Sequence, residues 1–151
     1  DAPDLDSVLD ELLAVLAGFL PPDDPRIRAT VMAIAEELTE DGLVLRYRVE
    51  ETDDGLAGEE GTFTICSFWL VSALVEIGEI SRARHLCERL LSFASPLHLY
   101  AEEIEPRTGR HLGNFPQAFT HLALINAVVH VIRAEEEADS SGIFQPANAP
   151  M

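Results

Sequence analysis

Three acidic side chains, Glu102, Glu103 and Glu105, crowd the stretch Tyr100-Ala101-Glu102-Glu103-Ile104-Glu105-Pro106-Arg107-Thr108-Gly109, which is followed by Gly113-Asn114-Phe115-Pro116-Gln117. Carboxyl groups grouped on a loop are suited to general acid–base work, in which a positioned side chain takes or gives a proton at a reacting centre. The same residues also read simply as solvated loop acids in a chain with 27 Asp and Glu. Composition alone favours that second reading.

Other chemistries find less support. Cys66 and Cys87 sit in apolar, helix-like stretches with no Cys-x-x-Cys pair and no His at ligand spacing, so both are expected as buried free thiols. His121 and His130 fall in an apolar helix and read as core or edge residues, while His85, His98 and His111 lack acidic or His partners at metal-like spacing. No metal and no cofactor are expected.

The elements that must position these residues are helical. Val8, Leu9, Leu12, Leu13, Leu16 and Phe19 recur at helical spacing, and the chain from Gly18 to Pro22 stops that helix. Ile27, Val31, Ile34 and Leu38 form one face of a second helix from about Pro25 to Glu40. From Leu43 to Val49 the pattern changes to a period of two, an extended segment or hairpin arm. The stretch from Glu50 to Gly61 then reads as a loop.

A helix from about Thr62 to Ile77 is apolar on all sides, whereas the next, from about Ser81 to Phe93 with Ser81 as its cap, is amphipathic. A loop over 95–114 leads to a last apolar helix from about Phe115 to Arg133, with Asn114 as cap and Pro116 in the first turn. A helix that is apolar all round must be surrounded by protein, and an amphipathic one covers it. The expected fold is therefore all-α, with helical hairpins in two layers and a short β-like segment near residues 43–49. Residues 135–151, acidic and then rich in Ser, Pro and Asn, are expected as a mostly disordered tail.

Three strings then resemble a known family: DGLVLRYRVEETDDGL, EGTFTICSFWLV and AEEIEPRTGRHLGNFPQAFTHLALINA. They are similar to the C-terminal part of glycoside hydrolase family 15, which includes glucoamylases, glucodextranases and actinobacterial α,α-trehalases. The resemblance covers nearly everything from about Leu16 to Ala134. It implies that residues 1–134 form about half of an (α/α)6 toroid, in agreement with the two-layer pattern.

The family inverts the anomeric centre with two carboxyl groups, one protonating the leaving oxygen and the other activating a water on the opposite face. Its base lies in a Ser-Glu-Gln or Ser-Glu-Glu stretch, matched here by Ala101, Glu102 and Glu103, so the resemblance implies Glu102 as general base and Glu103 as a hydroxyl-binding neighbour. Ala101 replaces the Ser and loses one hydrogen bond near the base. Arg46 and Tyr47 match an Arg-Tyr pair that binds sugar hydroxyls, although Arg46 reads equally as the polar face of a strand. Phe63 matches a pocket-wall aromatic and reads equally as core.

The family's general acid belongs to a motif N-terminal to this sequence. The isolated chain is therefore expected to carry the base side of the site and to have little or no activity alone. Apolar helix flanks left bare are expected to drive self-association or pairing with the missing N-terminal half. The substrate class implied is an α-glucoside such as trehalose, maltose or an α-glucan.

Charge narrows the partners further. All 10 basic residues are Arg, against 27 acidic ones, and the net charge of −17 excludes a phosphate backbone or an anionic membrane surface as a partner. No apolar run reaches the roughly 18 residues that a membrane span needs. The start of the sequence lacks a secretory-signal pattern, and the sparse cysteines fit a cytoplasmic protein. Abundant Ala, Asp and Arg point to a GC-rich bacterial source. A contrasting reading is a stand-alone acidic helical module that binds a basic partner without catalysis.

Overall fold

The computed structural model of the chain describes residues 8–40, 42–45 and 62–141. Its helices are α1 (Val8–Leu16), α2 (Pro25–Glu37), α3 (Thr64–Glu76), α4 (Ile80–Ser92) and α5 (Ala118–Ser140). The short strands are β1 (Thr39–Glu40), β2 (Leu43–Val44), β3 (Thr62–Phe63), β4 (Glu103–Ile104) and β5 (His111–Leu112). The described residues are mostly helical, as the all-α reading requires.

α3 is the centre of the fold and packs against α1, α2, α4 and α5. Phe68, Val71 and Ala73 are wholly enclosed, which is what a helix apolar on every face demands. α4 lays Ala83, Cys87 and Leu90 against the core and leaves Arg82, Arg84 and Glu88 exposed. α2 buries Ile27, Val31 and Ile34, the face read from the four-three spacing. Its start is capped by Asp24, whose carboxylate accepts the Arg26 N–H at 2.9 Å with Pro25 at the first position. The Arg26 guanidinium also bonds that carboxylate and holds its pKa down at about 2. Cys66 and Cys87 are buried free thiols.

The start of α4 differs from expectation. Gly78 takes φ +80°, its N–H donates to Val75 O at 2.9 Å, and the Glu79 N–H reaches Leu74 O at 2.9 Å. This doubled bond pattern closes α3 on a left-handed residue. Glu79 is at once the end of that closure and the residue flanking α4, so Ser81 lies inside the helix and does not cap it. The Glu79 carboxylate instead pairs with Arg28 of α2 and Arg82 of α4.

α5 also departs at both ends. Its N-terminal flanking residue is Gln117, not Asn114, because both main-chain polar groups of Asn114 are committed to Glu102. Phe115 and Pro116, joined by a cis peptide, precede the helix rather than beginning it. At the other end the helix passes Arg133 and continues to Ser140, so 135–140 are helical and not tail. Glu residues favour helix, and Glu135 is held by Arg84 of α4 at 3.2 Å. Residues 142–151 of the expected tail lie outside the described residues.

The strands bring surprises of another kind. β1 and β2 pair antiparallel around Gly42, with Thr39 opposite Val44. The alternation expected from Leu43 does not hold at its start, since Leu43 and Val44 are both buried. The Val44 N–H donates to Ser67 Oγ of α3 at 2.9 Å, which satisfies it inside the core. Residues 46–49 of that expected segment lie outside the described residues, as does the expected loop up to Gly61. Within 95–114, read as loop, β4 and β5 join β3 in a three-stranded antiparallel sheet ordered β3-β4-β5.

Candidate active site

The stretch from Tyr100 to Glu102 is held by hydrogen bonds from two helix starts. A helix leaves its first N–H groups without internal partners. At the start of α3 the Thr64 N–H donates to Glu102 O at 3.0 Å, and at the start of α5 the Gln117 N–H donates to Tyr100 O at 2.9 Å. Neither helix has a side-chain cap, so the loop carbonyls do that work. Thr120 Oγ1 adds a bond to Ala101 O at 3.3 Å.

Glu102 itself is tied at both main chain and side chain. Its N–H donates to Asn114 O at 2.9 Å, and the Asn114 N–H donates back to Glu102 Oε2 at 3.2 Å. Among the described residues Oε1 has no hydrogen-bond partner, so one oxygen is anchored and the other can accept a proton from water. The register Phe63 opposite Glu103 sets β3 beside this loop.

Glu102 lines a cleft of about 400 Å³ with Phe63, Ile65, Trp69, Gln117, Phe119 and Thr120. The walls are mainly apolar and aromatic, with polar groups gathered at Glu102, Gln117 and Thr120. Such walls suit the C–H faces of a sugar ring, and a few convergent polar groups suit its hydroxyls. Behind the loop Tyr100 is buried, packed edge-on to Phe68 at 5.5 Å, with its hydroxyl donating to Leu90 O at 3.1 Å. Burial, with Cys87 nearby, pushes the Tyr100 phenol up to about 12, so it serves as a neutral prop.

The family model described as Glycosyl hydrolases family 15 matches residues 1–129. The chain belongs to this family. Among curated relatives of the family 15 chain, a trehalase of Mycolicibacterium smegmatis is 94% identical over 140 residues, covering 93% of the chain and 21% of that protein. A trehalase of Mycobacterium tuberculosis is 89% identical over 140 residues, covering 93% of the chain and 21% of its own length. A trehalase of Thermoplasma acidophilum is 43% identical over 73% of the chain and 19% of its length. The chain thus spans about a fifth of the length of these relatives. No solved structure matches it significantly.

Of the residues expected in the family 15 site, the structure brings Glu102 and Phe63 into one cleft. Glu103 is partly buried in β4, paired with Leu112, and is not among the described residues lining that cleft. Arg46 and Tyr47 lie outside the described residues.

Sequence reasoning missed Ile65, Trp69, Gln117, Phe119 and Thr120 as cleft residues. Trp69 and Phe119 passed for core because apolar helices give no sign of which face is bare. A usable signal was present: Ile65 and Trp69 stand four apart on α3, and Gln117 and Thr120 stand three apart at the start of α5. Among the described residues no group of three His, Cys, Asp or Glu is placed to hold a metal.

Proposed function

We propose that the chain supplies the general-base side of an inverting α-glucoside hydrolase, with trehalose as substrate. The observation that carries this is the Glu102 carboxylate, fixed through one oxygen on the wall of an aromatic cleft. The names of the relatives supply the substrate, since all those described above are trehalases. Glu102 takes the proton of a water that attacks the anomeric carbon, and a carboxylic acid outside this chain protonates the departing oxygen from the other face.

On this reading residues 1–134 are the C-terminal part of the catalytic domain. Phe63 forms the wall against the sugar, and Arg46 and Tyr47 bind its hydroxyls, whereas Glu103, paired in β4, stands outside the described lining of the cleft. The isolated chain is inactive, because half of the acid–base pair is elsewhere. The bare face of α5, through Phe119, Leu122, Ile125, Val129 and Ile132, is the seat of pairing with the N-terminal half or with a second copy. The working place is the cytoplasm. No helix among the described residues is long and apolar enough to cross a membrane.

The test is hydrolysis of trehalose and maltose by the longer polypeptide that contains this sequence. Glu102→Gln is expected to lower kcat by about a thousandfold, the scale of a lost general base, with KM little changed. Retention of near-full kcat by that variant overturns the assignment.

A further inference from the structure

His121 lies on α5 one turn after Gln117, and its ring makes two bonds that no role described so far explains. Nδ1 is 2.7 Å from Gln117 O, the carbonyl that also accepts the His121 main-chain N–H at 3.3 Å. Nε2 is 3.3 Å from the Tyr100 nitrogen, which can only donate. These partners fix the ring state. An imidazole that accepts at Nε2 and donates at Nδ1 is neutral and carries its proton on Nδ1.

We propose that His121 is the positioning residue of the Glu102 loop, a neutral Nδ1–H imidazole that pins Tyr100, two residues before Glu102, to the first turn of α5. The proposal rests on the reading of Glu102 as the base for its functional meaning, but not for its geometry. Gln117 N–H to Tyr100 O and Tyr100 N–H to His121 Nε2 engage both main-chain groups of Tyr100 with α5. The His121 ring meets the Tyr100 ring edge-on at 6.0 Å, which blocks the imidazole from swinging away. Without the ring, the Tyr100 N–H loses its acceptor in a partly buried place, and the segment entering Glu102 keeps only the Gln117 bond to Tyr100 O and the Thr120 bond to Ala101 O from α5 and its flank.

A positioning role differs from mere packing in what can replace it. Glutamine offers a carbonyl oxygen and an amide N–H on one flexible stem and can restore both bonds, whereas leucine fills similar space and restores neither.

The experiment uses the 151-residue chain and nuclear magnetic resonance, so that it reads the loop without requiring catalysis. Long-range proton–nitrogen spectra at about pH 8, where an ordinary imidazole is neutral, are expected to show His121 protonated on Nδ1 alone. Exchange of the Tyr100 amide is expected to rise about tenfold in His121→Leu, the factor one hydrogen bond supplies, and to return to near the parent rate in His121→Gln. The Glu102 carboxyl carbon signal should shift in the leucine variant and return in the glutamine variant. Amides of α3 and α4 should exchange as in the parent. An Nε2–H tautomer in the parent chain overturns the proposal whether or not the variants fold, and so does a glutamine variant that behaves like leucine. If Glu102 proves not to be the base, kcat of Glu102→Gln in the longer polypeptide reports that failure, and the tautomer result stands apart from it.

Discussion

A β-carbon on Gly113 would stand 2.9 Å from Glu102 Oε2 and 3.2 Å from Glu102 Cβ, so the candidate base occupies space that only glycine leaves open. Gly113 also takes φ +69°, a left-handed conformation that costs an L-residue about 1–2 kcal/mol. Gly113→Ala is expected to lower the melting temperature and, in the longer polypeptide, to lower kcat by displacing the carboxylate. Gly78→Ala is the control, because Gly78 has φ +80° but nothing within 4 Å of the added carbon. Both variants should melt early, and only Gly113→Ala should lose hydrolysis. Equal kcat in the two would show that the close approach to Glu102 does not matter.

The 151-residue chain by itself is expected to release no glucose from trehalose or maltose. A coupled glucose assay with the Glu102→Gln chain as blank checks this. Turnover that disappears in the blank would mean that a working acid lies within these residues.

The exposed face of α5 is expected to drive association. Leu122 and Ile125 are each 57% exposed, on a helix whose opposite face, through Ala123 and Ala127, is buried against the core. Burying a leucine or isoleucine contributes about 1.5–3 kcal/mol, so a few in register offset the repulsion between acidic surfaces. Sedimentation of the parent chain should show concentration-dependent dimers or larger species. Leu122→Asp with Ile125→Asp should restore the monomer and leave the circular dichroism unchanged. A parent chain that stays monomeric throughout removes the face as an interface between copies and leaves only the N-terminal half as its partner.

Tyr100 supplies a pH prediction. Its phenol ionises at about 12 in the fold against 10 ordinarily, because burial penalises the charged form. A raised value on an acid means that the neutral form is the one stabilised. That contribution is fully present below pH 10 and is lost as the pH rises through 10 towards about 12. Ultraviolet titration should show a late phenol step near 12 that vanishes in Tyr100→Phe, and the parent should lose stability over that window faster than the variant. A single step near 10 in the parent would place Tyr100 in water.

The helices were legible because their signals are repeated along the chain. Ile27, Val31 and Ile34 announce α2, and the stretch from Phe63 to Leu74, with apolar groups on every face, announces a helix that others must surround. The strands of the site were not, since each has 2 residues and alternation needs more than that to show. Ser81 and Asn114 misled because capping preference is local, whereas the structure spends Asn114 on Glu102 and lets Glu79 close one helix as the next begins. Glu102 was legible only through family likeness. Its cleft was hidden because Phe63 and Glu102 meet through strand pairing across distant segments, and single-chain periodicity carries no such information.

Trp69 is the chain's single tryptophan, and it stands in the wall of the cleft that Glu102 lines. The indole is the dominant fluorophore of a protein, and its emission colour follows the polarity around it. The fold has thereby put its one sensitive lamp where a sugar would sit, so unlabelled protein can report occupancy of the cleft by a change in tint or brightness.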